Sequence, residues 1–350
     1  MRYSDLYIAG VATWLPPLRS ADDAISEGLY DPAEQAANSY LSVPVAGAED
    51  APPVMAVRAA RGALARSGVR PGDVALLLHA SMWYQGIDFW SPAPYIHHAV
   101  LGENPSAPAI DVGQMSAGTL GATELAASYL AADPARPAAL VTAADRFAGP
   151  GFDRWRTDVS SIVYGDGAAA LVLTRAPAFA RLVALRTVVD TCLEPMYRGD
   201  SAFGAVSAAP FGPVDNRARR NAYLKEVGRD HIVSRTTDGM IAAVRGVLDD
   251  SGLDLTDIGR FVFPNVGLSV LRNRYLEPLG LDLAATVWEW GRTTGHVGTA
   301  DQITGLAYLI DQGWLRPGQR VMLVGIGAGF TWSCAIIECL QAPSWPADAA

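Results

Sequence analysis

Arg61-Gly62-Ala63-Leu64-Ala65-Arg66-Ser67-Gly68-Val69 returns 184 residues later as Arg245-Gly246-Val247-Leu248-Asp249-Asp250-Ser251-Gly252-Leu253. Each copy reads as a helix stopped by Ser-Gly, because glycine closes a helix in the left-handed conformation without a Cβ clash. At the same offset Asp73-Val74 meets Asp257-Ile258, and an apolar run follows each, ending in Leu76-Leu77-Leu78 and in Phe261-Val262-Phe263. Such runs predict buried strands. A second pair, 160 residues apart, sets Gly165-Asp166-Gly167-Ala168 beside Gly325-Ile326-Gly327-Ala328, two glycine-rich turns feeding apolar strands. A third, weaker pair is the helix after Ser116 and the helix after His296, which end in Tyr129-Leu130 and Tyr308-Leu309. Three matches in the same order argue for an internal duplication. The drift in offset places extra residues in the first half, at about 133–158.

A duplicated unit of alternating strands and helices makes a mixed sheet whose faces both need cover. The expected fold is therefore α/β, two units packed by their helices into a layered α/β/α/β/α body. The N-terminal half is expected over 1–175 and the C-terminal half over 176–350. The helices beginning at Ser116 and near Gly298 would be central. Their small apolar residues, Ala117, Gly118, Gly121 and Ala122 in one and Gly298, Ala300, Gly305 and Ala307 in the other, fit burial on nearly all sides.

The chain has 350 residues, half of them hydrophobic and 18% charged, as in a well-buried globular enzyme. Its net charge of −9 argues against nucleic acid as a partner. No apolar run reaches the roughly 18 residues of a membrane span, and no basic-then-apolar leader opens the sequence. Cys192, Cys334 and Cys339 lack metal-like spacing, and the last two sit in an apolar strand as core filler. A reducing cytoplasm is the expected compartment.

Asp111-Val112-Gly113-Gln114-Met115-Ser116-Ala117-Gly118 reads as a strand end, a tight turn and a helix start. A hydroxyl there meets free backbone N–H groups and the positive end of the helix dipole, which favour a developing oxyanion. Ser116 is thus a candidate nucleophile, although a serine in that place also serves as an ordinary N-cap.

Taken together, these features resemble the ketoacyl-ACP synthase III family of the thiolase superfamily. The resemblance runs from Leu6-Tyr7-Ile8-Ala9-Gly10 and Leu15-Pro16-Pro17 through Asp111-Val112 and Tyr164-Gly165-Asp166-Gly167-Ala168-Ala169 to Val324-Gly325-Ile326-Gly327-Ala328-Gly329-Phe330-Thr331-Trp332. It implies the duplicated five-layer, thiolase-like fold and a homodimer. It also exposes three departures. Ser116 stands at the position of the family's nucleophilic cysteine. Asn265, in Pro264-Asn265-Val266-Gly267, stands where the family has its condensing histidine, and Arg292, in Gly291-Arg292-Thr293-Thr294, where it has its helper asparagine. Those two family residues stabilise the enolate of a decarboxylating malonyl thioester, so decarboxylative condensation is not expected here.

A cysteine at a helix N-terminus becomes a thiolate easily, its free pKa being about 8.5. A serine needs a general base beside it, best held by a carboxylate. Gly295-His296-Val297-Gly298-Thr299-Ala300-Asp301 precedes the second central helix and should face the Ser116 turn across the pseudo-twofold axis. His296 would be the base and Asp301 its orienter, as in a family subgroup of antibiotic and polyketide pathways that transfers acyl groups without condensing them. Singly, His296 reads as a helix-start histidine and Asp301 as a first-turn acid; as a set they read as a triad. The backbone N–H of Ser116, and by the family match that of Ala328, would form the oxyanion hole.

Expected substrate contacts are Met115 beside the nucleophile, Trp83, Phe89 and Trp90 in an aromatic loop, and Asn265 and Arg292, released from their family roles. The loop suits an aryl or short branched acyl group, or equally an interface between subunits. His79, His97, His98 and His231 read as structural or solvated, the last in a charged loop. The donor implied is a phosphopantetheine thioester. The family's arginine-rich coenzyme A segment is not visible between 30 and 55, which favours an acyl carrier protein over free CoA. Arg217, Arg219, Arg220, Lys225, Arg229 and Arg235, with Arg272 and Arg274 as a second group, would supply the basic docking patch. The expectation is an acyltransferase passing an acyl group through Ser116 to a second carrier protein or a small-molecule hydroxyl or amine, with no metal or bound cofactor. Two alternatives stand beside it: a starter-unit condensing enzyme, and a non-catalytic partner subunit of a condensing heterodimer.

Overall fold

The computed structural model describes residues 1–159, 161–200, 203–205, 212–343 and 345. The apolar runs form strands β1 (Tyr7–Trp14), β4 (Val74–Ala80), β5 (Ala109–Val112), β6 (Ala138–Asp145), β7 (Gly167–Thr174), β8 (Ala180–Val189), β9 (Arg260–Val262), β10 (Arg320–Gly327) and β11 (Thr331–Cys339). A small antiparallel pair, β2 (Leu18–Ser20) and β3 (Ser42–Pro44), lies apart from them.

The nine run in the order β5-β4-β6-β7-β1-β8-β11-β10-β9. β4 is parallel to β6, and β7 is antiparallel to both β6 and β1. β9 is parallel to β10, and β11 is antiparallel to both β10 and β8. The two halves therefore repeat one topology, and they join through Tyr7↔Arg181 and Ile8↔Ala180. The chain passes from one half to the other between Thr174 and Ala180.

Layering follows from which helices are buried on which faces. Helix Pro52–Ser67 covers β1, β6 and β7 from outside, and helix Arg229–Ser251 covers β8 and β11. Between the half-sheets lie helix Gly118–Ala131, touching β4 and β6 on one side and β8 and β11 on the other, and helix Asp301–Asp311, touching β1 and β7 on one side and β9 and β10 on the other. Each is buried on nearly every face, as their small and apolar residues require.

The helix stops of the repeat are real: Gly68 and Gly252 both adopt left-handed φ, +67° and +69°, and each helix leads through a 3₁₀ turn, Pro71–Asp73 or Leu255–Asp257, toward the next strand. The glycine-rich pair is out of topological register. Gly325–Gly327 ends β10, the counterpart of β6, whereas Gly165 and Asp166 precede β7, the counterpart of β11. The extra residues lie at 146–166, between β6 and β7, where the second half spends only 328–330; that is later than the 133–158 expected, because helix Gly118–Ala131 leads directly into β6. Buried Asp166 clamps this insertion, accepting Arg154 through two nitrogens at 3.1 and 3.0 Å and the N–H groups of Phe147 and Ala46, both at 2.8 Å. His231 lies in the first turn of helix Arg229–Ser251 rather than in a loop.

Cys334 and Cys339 are buried free thiols in β11, and burial raises both. Among the described residues no helix is long and apolar enough to cross a membrane, and no cluster of side chains forms a metal site.

The burial of the central helices sets an expected cost. Leu306→Ala, in a side chain with no exposure, should destabilise the fold by about 2–5 kcal/mol in chemical denaturation, while Leu18→Ala, at 59% exposure, should change it by less than about 0.5 kcal/mol.

Candidate active site

Ser116 sits in the 3₁₀ turn Met115–Ala117 that leads into helix Gly118–Ala131. The turn holds Met115 at φ +48°, a left-handed conformation that costs a non-glycine residue about 1–3 kcal/mol. The matching turn of the second half, Gly298–Ala300, begins on a glycine at φ +62°. At the cavity-facing turn, the sequence keeps a side chain where its twin has none.

The two turns meet. Ser116 Oγ lies 2.7 Å from His296 Nε2, and His296 Nδ1 lies 2.5 Å from Asp301 Oδ2. Nδ1–H donates to the carboxylate, which leaves the Nε2 lone pair facing the hydroxyl. Asp301 is buried and fully engaged: Val297 N–H donates to Oδ1 at 2.7 Å, Asn265 N–H to Oδ2 at 3.0 Å and Asn265 Nδ2 to Oδ1 at 3.4 Å. Burial alone would push the His296 pKa down, but the charge and hydrogen bond of Asp301, reinforced by Asp158 and Asp145, outweigh it and leave the ring above its ordinary value.

Ser116 and His296 open into a cavity of about 360 Å³. Met82, Met115, Trp83, Phe152 and Tyr164 line the part nearest them. Trp83 and Phe152 meet edge to face at 4.9 Å, Phe152 and Tyr164 likewise, and the Tyr164 ring lies 5.1 Å from that of His296. Met82 Sδ lies 3.4 Å from Ser116 Oγ. Ala328 lines the cavity as well. A Cβ on its neighbour Gly327 would fall 2.3 Å from the Gln114 carbonyl oxygen and 3.3 Å from Ala117 N, so only glycine lets the end of β10 press against the Ser116 turn.

Not every expected contact belongs to this cavity. Asn265 stands behind Asp301 instead of facing a substrate, and its carbonyl accepts the Tyr40 hydroxyl at 2.8 Å. Arg292 points away: its Nε donates to the Ser39 carbonyl at 3.0 Å and its guanidinium meets Glu289, pinning helix Trp288–Thr294 to the Ser39 segment. Phe89 and Trp90 are exposed and line no part of the cavity within one chain; Trp90 meets Tyr95 edge to face. Trp83 and Met115 are wall residues as expected.

Some cavity residues were not foreseen. Asp158 is buried, accepting the Tyr164 hydroxyl at 2.6 Å. Phe152 and Asp158 belong to the insertion, which no repeat could align. Asp145, which lies outside the cavity lining, ends a fully buried strand, and an acid closing the run 138–144 was the available signal. Arg274 of the second basic group joins the first: Arg220 and Arg274 line the cavity together, and the charges of Arg220 and Arg229 add to burial in pulling the Arg274 pKa down. Arg217 and Arg235 are neutralised by Glu34 and Asp190.

The electrostatics give a direct expectation. Asp301→Asn should lower the His296 titration by roughly 1–3 pH units in NMR, because the ring loses its charged partner.

Comparison with known proteins fits this arrangement. The model for the 3-oxoacyl-[acyl-carrier-protein] synthase III family matches 110–190 and that for its C-terminal part matches 248–339. The beta-ketoacyl-[acyl-carrier-protein] synthase III of Erythrobacter litoralis is 28% identical over 299 residues, covering 84% of this chain and 86% of its own. A solved structure named ChlB3, an acyltransferase, is 35% identical, with a TM-score of 0.92 over 98% of this chain and all of its own. The synthase III of Pseudomonas aeruginosa, 24% identical, shares the fold with a TM-score of 0.78 over 97% of this chain and 99% of its own. With the duplicated sheet, the buried central helices and these matches in agreement, the chain belongs to the 3-oxoacyl-ACP synthase III family of the thiolase superfamily.

Proposed function

We propose that this enzyme is an acyltransferase that works through an acyl-Ser116 intermediate and forms no carbon–carbon bond. The observation that carries the reading is the line of Ser116 Oγ, His296 and Asp301, at 2.7 and 2.5 Å, opening on a cavity. His296 Nε2 takes the Ser116 proton as Oγ attacks the thioester carbonyl, and the backbone N–H groups of Ser116 and Ala328 meet the oxyanion. The proton then passes to the departing thiolate. In the second half-reaction the same nitrogen takes the proton of an acceptor thiol, hydroxyl or amine as it attacks the acyl carbonyl, and returns that proton to Ser116 Oγ as the ester bond breaks.

Two residue replacements favour transfer over condensation. Asn265 and Arg292 occupy the family's condensing positions, and both are committed elsewhere, Asn265 to Asp301 and Arg292 to Ser39. The name of the ChlB3 neighbour agrees with the transfer reading, while those of the synthase III relatives are condensing names. The aromatic wall suits a compact aryl or short branched acyl group. Arg219, Arg220 and Arg274 at the cavity suit the phosphate of a phosphopantetheine arm on an acidic carrier protein. Exposed Ile87, Phe89, Trp90 and Tyr95, with Ile110 on edge strand β5, suit the contact of a homodimer. The polyketide or antibiotic setting and the cytoplasmic location belong to the same proposal.

Intact-protein mass after exposure to a panel of acyl-carrier and acyl-CoA thioesters tests it. Wild type should gain one uncondensed acyl group and Ser116→Ala none; His296→Ala should acylate roughly 10²–10⁴-fold more slowly. Carbon dioxide release from a malonyl donor would favour the condensing alternative, and the absence of any adduct the non-catalytic one. Since His296 acts unprotonated, acylation should rise with pH through the ring's pKa, and that rise should lie above 6.5. Arg220→Glu with Arg274→Glu should raise the KM for a carrier-bound donor and leave kcat near wild type.

A further inference from the structure

Asp145 is the last residue of β6, fully buried, and enters the chemistry above only through its charge on His296. Its Oδ1 accepts the backbone N–H groups of Met82 and Trp83, each at 2.9 Å. Its Oδ2 accepts the Thr299 N–H at 3.0 Å and the Thr299 hydroxyl at 2.9 Å. The two sets of donors belong to different parts of the site. Met82 touches the Ser116 hydroxyl and Trp83 is cavity wall, while Thr299 lies between His296 and Asp301 in the turn that carries them. A Cβ on Gly298 would fall 2.4 Å from Asp145 Oδ2, so that turn approaches the carboxylate as closely as glycine allows. Burial raises the Asp145 carboxyl and the four donors pull it back, which leaves it at about 6; a charge in the interior is tolerable when its oxygens are met in this way.

We infer that Asp145 is a positioning residue, holding the Met82–Trp83 loop and the His296–Asp301 turn on one carboxylate so that His296 Nε2 stays aligned with Ser116 Oγ. The inference rests on the acyl-enzyme reading. Asparagine cannot take its place: one oxygen serves one side, and the NH₂ group then faces the donors of the other. A displacement of about 1 Å between a nucleophile and its base is worth roughly 100-fold in rate. Asp145 also acts on the ring by charge. The groups facing His296 are the Ser116 hydroxyl, the Tyr164 ring, Asp301, Asp158 and Asp145, and all three acids raise its pKa.

The test is single-turnover acylation of Asp145→Asn across pH, with His296 titrated by NMR in the same samples. The expected result is a loss of roughly 10–100-fold at saturating donor, an unchanged half-saturating donor concentration, and an acid limb and ring titration both moved to lower pH. A rate and titration equal to wild type would overturn the inference while leaving the acyl-enzyme intact. A wild type that forms no adduct would overturn the acyl-enzyme reading instead, and the ring titration would still decide whether Asp145 acts on His296. If Asp145→Asn does not fold, Thr299→Val removes one donor and keeps the shape. It should slow acylation roughly 3–10-fold with no change in half-saturation, and a wild-type rate there would equally overturn the inference.

Discussion

The rest of the molecule depends on the close approach of two helix starts, one from each half of the chain. The Thr119 hydroxyl donates across this seam to the Thr299 carbonyl. A Cβ on Gly118 would sit 3.1 Å from a Thr299 methyl, and the end of β10 slides under the Ser116 turn only because residue 327 is glycine. Small residues here serve distance rather than flexibility. They bring two turns near enough for a serine of one half to share a proton with a histidine of the other. Layering, burial of the central helices and the cavity all follow from that contact.

Much of this was legible in the sequence because it is periodic. The Ser-Gly stops at Gly68 and Gly252 and the apolar runs after them report local backbone physics, and local physics repeats wherever the unit does. What escaped the sequence is where the copies diverge. Residues 146–166 have no twin, so Phe152 and Asp158 gave no signal of their place in the cavity. Asn265 and Arg292 fall outside the cavity lining for a different reason: the direction of a side chain is set by its partners, and Asp301 and Ser39 claim them. Phe89 and Trp90 show the same limit, since an aromatic loop reads alike whether it lines a cavity or lies on a surface.

Exchanging a thiol for a hydroxyl changes what the surroundings must supply. A thiolate is stabilised by any nearby positive field, whereas a serine must find its base within hydrogen-bond reach at the moment of attack. On the proposed reading His296 meets that need, held from behind by acids. Asp301 binds the ring directly, Asn265 braces Asp301, and Asp145 and Asp158 add negative potential. The same histidine pays for this support with a raised pKa, which keeps more of it protonated in mildly acidic surroundings.

The join between the halves has a consequence for how the molecule comes apart. β1 and β8 are linked through two residue pairs, extended by the Arg2 and Tyr3 segment along β8, while the central helices pack against strands of both halves. Ser116 and His296 therefore lie on opposite banks of the seam. A separation too slight to disturb either sheet would already part Ser116 from His296, so the line of hydrogen bonds to Asp301 exists only while the halves are closed on one another.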